Sequence, residues 1–274
     1  MDYIRETYTE QRHMRITSAI LAFIFIQSAY SQNFGTLCND GIESIRKKEY
    51  QKAMTHFEKA VIASEDNGEK LYALANLAFS CQMVGKFEKA IDNYSKALLI
   101  DKHDITLLQQ RAGIYMFLDS AEKAIADYSL VLEKEPGNTN ALLHRAHIYT
   151  NTGQFGKARG DYHRLMSIDP EECNTRLGYA RLYQKEKRYN ECLMLLGLLI
   201  EDYPAMAELY IARSDVSREI GQTELALMDV DKAIELEPEN TNHYKLQSIL
   251  FDMLGKKEAA EKSRRTANRL MNRE

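Results

Sequence analysis

The chain has 274 residues, about two average domains' worth, with 28% charged and 45% apolar residues, so it can bury a core and is not disordered by composition. Its 4 Pro and 13 Gly, roughly half the usual share, argue against a collagen-like chain and against a sandwich or barrel with many tight turns. A net charge of −4 gives no electrostatic reason to expect nucleic-acid binding, which needs a basic face.

In chain order, the first segment reads as an address. Residues Ile16 to Tyr30, ITSAILAFIFIQSAY, follow a short basic patch, Arg12-His13-Met14-Arg15, and end in Ala29-Tyr30-Ser31. That is the layout of a secretory signal peptide over residues 1–31, with cleavage expected after Ser31 and a start at Met14 as an option. An uncleaved membrane anchor is the alternative, although the apolar run is short for a transmembrane helix and broken by Ser and Gln. Export makes periplasm or cell envelope the expected location if the source is bacterial, with no membrane insertion once the signal is cleaved. Cys38, Cys81, Cys173 and Cys192 have no framework spacing, so free, buried cysteine is favoured over disulfides.

Beyond residue 33 the chain is periodic. Pro136, Pro170, Pro204 and Pro238 are 34 residues apart. So are the anchors Ala90, Ala124, Ala158, Cys192, Ala226 and Ala260, with Ala53 one longer step of 37 upstream. Apolar residues recur four and seven beyond the anchors, as in Tyr94 and Ala97, which is one face of a helix. A second face lies upstream: Gly41, Ala78, Ala112, Ala146, Ala180, Ser214 and Ser248 stand twelve before the anchors. Short breaks such as Val84-Gly85-Lys86 and Thr152-Gly153-Gln154 separate the two helices.

With its small residue in each helix, its aromatic and its closing Pro, best seen from Ala141 to Pro170, this pattern resembles the tetratricopeptide repeat family. The likeness covers nearly the whole chain after the signal. Repeat one departs most, lacking the Pro and carrying three extra residues within Glu65-Asp66-Asn67-Gly68. The resemblance implies an all-α fold, an α-solenoid wound as a right-handed superhelix, with a groove lined by the first helices. It divides residues 32–274 into repeats of about 34–70, 71–104, 105–138, 139–172, 173–206, 207–240 and 241–274, and Lys256–Arg273 reads as a capping helix.

The chemistry-bearing residues are few. Arg111, Arg145 and Arg213 stand thirteen before their anchors, and Asp127, Asp161 and Asp229 three after, in the same three repeats. The carboxylates belong to separate repeats, so a structural pair between the two helices is favoured over acid–base work. Such a pair is worth about 0–1 kcal/mol if exposed. His144 and His147 share a helix face, but no third or fourth ligand stands nearby, so no metal is expected. The chain holds no G-x-x-x-x-G-K, G-x-S-x-G or H-E-x-x-H, so no cofactor, no catalytic residue and no enzyme are expected.

The groove face of the first helices is the candidate working surface. It is expected to carry Asn76, Phe79 and Gln82; Gln110 and Met116; His144 and His147; Arg181 and Gln184. Ile211, Ala212, Asp215 and Arg218 follow in repeat six, and Gly113 and Gly178 are expected to leave shallow depressions. The Lys residues with which some family members clamp a terminal carboxylate are missing. The leading reading is an exported, non-enzymatic module that binds a protein or peptide in this groove, through amides and the apolar Phe79 and Met116. The second is an accessory or scaffold subunit that docks a larger envelope complex through its outer face or ends.

Overall fold

The computed structural model describes residues 33–272. The expected signal segment, 1–31, lies outside the described residues. Among the described residues all regular structure is α-helical. Helix α1 includes residues 33–46 and is followed by α2 (Tyr50–Ala63), α3 (Asn67–Met83), α4 (Phe87–Ile100), α5 (Ile105–Phe117), α6 (Ala121–Lys134) and α7 (Thr139–Asn151). Then come α8 (Phe155–Ile168), α9 (Cys173–Lys185), α10 (Tyr189–Asp202), α11 (Ala207–Glu219), α12 (Thr223–Leu236), α13 (Thr241–Met253) and α14 (Lys257–Met271). They are joined two by two as helix–turn–helix hairpins. The chain divides after Lys134 into two compact bodies, the first holding α1–α6 and the second α7–α14.

The turn inside each hairpin is the same device seven times. In α7 the Gln154 amide reaches back to the Tyr149 carbonyl at 2.8 Å, while Gly153 takes a φ of 74°. A residue in the left-handed region just past the helix end, with this backward bond, is a Schellman stop. Gly85, Gly221 and Gly255 occupy the same place, but so do Lys48, Asp119 and Lys187, at φ values of 59°, 51° and 60°. Between hairpins the signals are side chains. Asp104 and Asn138 accept a hydrogen bond from the backbone of Leu107 (2.9 Å) and Ala141 (3.0 Å), each capping the helix that follows. Pro136, Pro170, Pro204 and Pro238 each stand two residues beyond the end of a second helix, where helix cannot continue.

The small residues do what the spacing demands. Ala53, Ala90, Ala124, Ala158, Ala226 and Ala260 are fully buried, as are Ala78, Ala112, Ala146 and Ala180 on the first helices. Beside them Phe57, Tyr94, Tyr128 and Tyr162 are the large side chains that fill the interior. A Cβ at Gly41 would sit 2.7 Å from the Phe57 ring, so this pair of helices closes only on glycine. Cys38, Cys81 and Cys192 are buried and Cys173 half-buried, all as free thiols. Burial pushes the Cys38 thiol up to about 11 and the Cys192 thiol up to about 12. No helix among the described residues is long and apolar enough to cross a membrane.

Candidate functional site

In the first body, the expected groove residues lie on α3 and α5, and several already have partners. Asn76 donates from Nδ2 to the Tyr72 carbonyl at 2.9 Å. Gln82 accepts from the Tyr94 hydroxyl at 3.2 Å, and Met116 Sδ stands 3.5 Å from the Tyr128 hydroxyl. Phe79 is half-buried, its ring edge-on to Tyr50 with centroids 6.4 Å apart. Gln110 and Gly113 are exposed, and Gly113 faces open space. Here Gln82 and Met116 serve the hydroxyls of interior tyrosines, so they are less available to a ligand than their positions promise.

The second body brings its share together. His147 and Thr150 of α7, Arg181 and Gln184 of α9, and Ile211, Ala212 and Asp215 of α11 line one open depression of about 160 Å³. Arg181 pairs with Glu208 at 2.6 Å, and Gln184 donates to Glu219 at 3.0 Å, so both side chains bridge neighbouring first helices. His147 shares a 2.9 Å hydrogen bond with Asn151. Burial holds the His144 imidazole below its ordinary range, and His147 is lowered by burial, then by Arg181 and His144. Both rings are therefore mostly neutral near pH 7, and among the described residues no cluster of potential ligands could hold a metal ion.

Gly178 corrects the sequence reading. It is buried, and a Cβ there would lie 2.7 Å from the Tyr162 ring and hydroxyl. The missing side chain makes room for an interior tyrosine of the preceding hairpin and leaves no depression. The wall is also more charged than expected, because Lys185 and Glu208 stand in it. Lys185 and Asn151 lie four residues beyond Arg181 and His147, one helical turn along the same face. That spacing was the signal that could have found them.

The Arg–Asp pairs lie on the other side of the first helices, toward the second ones. Arg111 donates to Asp127 at 2.8 and 2.7 Å, Arg145 to Asp161 at 2.8 and 2.8 Å, and Arg213 to Asp229 at 2.9 and 2.7 Å. Each is the two-pronged geometry that the planar guanidinium favours. Hydrogen bonding to the carboxylate raises all three arginines above their ordinary range. The pairs are not exposed: the Asp161 side chain is 6% and the Arg145 side chain 16% accessible. Arg111 also donates to Ser95 at 2.8 Å, so one guanidinium joins α4, α5 and α6. In repeat seven Gln247 does the same without charge, accepting from Ser263 at 2.6 Å and donating to Asp231 at 2.7 Å.

A family model described as tetratricopeptide repeat matches residues 207–240. Among solved structures, a tetratricopeptide repeat protein from Parabacteroides merdae is 25% identical, with a TM-score of 0.80 over 87% of this chain and 93% of that one. The chain therefore shares the tetratricopeptide repeat fold, and its sixth repeat matches the family model. Two further solved structures share the fold at lower identity. The pilF protein of Pseudomonas aeruginosa is 15% identical, with a TM-score of 0.57 over 80% of this chain and 99% of that one. A thermophilic repeat protein of Thermus thermophilus is 14% identical, with a TM-score of 0.55 over 66% and 98%. Among curated proteins, none matches the sequence. Tetratricopeptide repeats generally serve as protein–protein interaction modules and are typically non-catalytic. In this chain the first-helix face of α7, α9 and α11 gathers polar side chains from three successive hairpins, and the interior side is spent on packing and ion pairs.

Proposed function

We propose that the protein is an exported, non-enzymatic interaction module that holds a segment of a protein partner on its first-helix face. One observation carries the reading: α7, α9 and α11 together line a depression whose rim carries charges of both signs, Arg181 and Lys185 beside Glu208 and Asp215. Such a surface has donors and acceptors for an extended backbone and charges that discriminate between partners. It is shallow and open, which suits a chain segment better than a small molecule enclosed on most sides. Because Arg181 and Gln184 are already hydrogen-bonded to Glu208 and Glu219, a partner must exchange these bonds rather than fill empty ones. The net gain per bond is then modest, and selectivity comes from the pattern.

Affinity capture from the envelope fraction, with the mature protein as bait, tests this reading. The variant combining His147→Ala, Arg181→Ala and Gln184→Ala is expected to lose the captured partner with little change in melting temperature. Retention of the same partner by that variant would move the site elsewhere. Export rests on the sequence, and N-terminal sequencing of the mature form is expected to begin at Gln32. A chain that keeps Ile16–Tyr30 in the membrane fraction would favour the anchor instead.

A second reading, a scaffold that docks through its outer surface, is favoured by one observation. Met194, Leu198, Leu225 and Met228 are exposed on the second helices of repeats five and six.

A further inference from the structure

We infer that the second-helix face of repeats five and six docks a basic amphipathic helix of a protein partner. The inference concerns a different surface from the first-helix depression and rests on the second reading above. Counted from the anchors, three register positions on this face are usually polar or small. The position before the anchor is Lys52, Lys89, Lys123 and Lys157 in the first four repeats, but Leu225 in the sixth. Two after the anchor, Thr55, Asp92, Ala126 and Gly160 give way to Met194 and Met228. Six after it, Lys59, Lys96, Arg164 and Lys232 stand where repeat five has the exposed Leu198 and repeat three the half-buried Leu130.

None of the four substitutions is absorbed by the interior. Met194 is 66%, Leu198 46%, Leu225 51% and Met228 66% accessible. Met194 and Leu198 are one turn apart on α10, and Leu225 and Met228 one turn apart on α12, so each pair shares a helix face. The two helices both pack on α11: Ile200 of α10 lies against the cluster of Ala207 and Tyr210 from α11 and Ala233 from α12. Scattered exposed apolar residues need no explanation, but four at repeat-matched positions on the second helices of successive repeats do. Two of the four are methionines, whose flexible thioethers adapt to a partner's side chains.

The charge on these two helices selects the partner. Helix α10 carries Glu191, Glu201 and Asp202 and no base, and α12 carries four acids against Lys232. Arg188, Arg176, Lys232 and Arg213 neutralise Glu191, Asp202, Glu235 and Asp229. Glu201, Glu224 and Asp231 remain. Neither helix has a base in its last turn, where the helix dipole is itself negative. An apolar stripe flanked by Lys or Arg complements the acids of α10 and α12 better than an acidic segment does.

The test uses the whole described chain and a labelled 14-residue Leu/Lys amphipathic helical peptide, with its Leu/Glu counterpart as control. The variant Met194→Asp, Leu198→Lys, Leu225→Lys, Met228→Asp leaves net charge unchanged and restores polar residues of the kinds found in other repeats. Binding of the Leu/Lys peptide is expected to weaken at least tenfold in this variant with melting unchanged, and severalfold in Glu201→Gln with Glu224→Gln. Arg181→Ala is expected to bind as wild type, which separates this surface from the first-helix site. Equal binding by wild type and the fourfold variant, or equal binding of the Leu/Glu peptide, would overturn the inference. So would a dimer in sedimentation, or adsorption to phosphatidylglycerol vesicles, that the fourfold variant abolishes, because the patch would then belong to a second copy or to a lipid surface.

Discussion

In repeat four the two helices are tied by Arg145 on Asp161; in repeat five the same positions are Tyr179 and Leu195. There the Tyr179 ring packs edge-on against Tyr162 and Tyr183, with centroids at 5.8 and 5.0 Å, and its hydroxyl meets His163 at 3.0 Å. The surrounding frame is shared: both hairpins bury a small residue at the anchor, Ala158 or Cys192, and both close with the same backbone turn. The same first-helix position therefore holds an ionic pin to its own second helix in repeat four and an aromatic pin to the second helix of the preceding hairpin in repeat five. Where the pin is ionic, removing one half leaves the other unpaired in a mostly buried site.

The largest effect is expected from breaking the ionic pin. Asp161→Ala leaves Arg145 largely buried without its carboxylate, and loss of one partner of a buried pair costs about 3 kcal/mol. That exceeds the figure for an exposed pair, which was all that sequence spacing supported. The double variant Arg145→Tyr with Asp161→Leu copies repeat five into repeat four and is expected to stay within about 1 kcal/mol of wild type. Denaturant melts of the three proteins measure both numbers. A double variant as unstable as Asp161→Ala would mean that the two pins are not interchangeable.

Next comes the seam between the two repeats. Gly178→Ala would force a Cβ to 2.7 Å from Tyr162, whose ring is held in the interior. Overpacking of this kind costs about 1–3 kcal/mol. Gly113→Ala, on the first helix of repeat three and facing open space, is expected to be neutral or slightly stabilising, because alanine is the better helix former. Equal melting temperatures for the two variants would refute the asymmetry.

A smaller effect of opposite sign is expected at the turns. Lys187 in repeat five holds the left-handed place that Gly153 holds in repeat four, at φ values of 60° and 74°. A side chain in that region costs about 1–2 kcal/mol relative to glycine, part of which glycine gives back as unfolded-state entropy. Lys187→Gly is therefore expected to raise stability by about 0.5–1 kcal/mol, and Gly153→Ala to lower it by about 1 kcal/mol.

These cases show where the sequence was legible. The anchors, the tyrosines and the paired Arg and Asp follow from a 34-residue period, because the interior repeats and its residues must repeat with it. Gly178 was not legible: its helix position points to a surface, and only the Tyr162 of the preceding hairpin makes it interior. The turns at Lys48, Asp119 and Lys187 were hidden because none carries the glycine that marks such a turn. The amides at Asn76 and Gln184 looked free for a ligand because spacing cannot show hydrogen bonds to Tyr72 or to Glu219.

The smallest effect separates the two repeats by pH. Of the three histidines of repeat four, His144 and His147 are held below their ordinary range chiefly by burial; repeat five has no histidine. In the unfolded chain both imidazoles titrate near 6.5. As pH falls through that value the unfolded state takes up protons that the folded state resists, so stability is lost below about 6.5 until the folded rings themselves titrate. For His147 protonation also removes the acceptor at Nε2, which faces the Asn151 amide at 2.9 Å, and sets a second positive charge against Arg181. The melting temperature is expected to fall between pH 7.5 and 5.5, and the variant His144→Gln with His147→Gln to flatten that slope. Glutamine at residue 147 keeps an acceptor for Asn151, so its effect at pH 7.5 should be slight. A slope unchanged by the double substitution would assign the pH dependence to other groups and remove this difference between the two repeats.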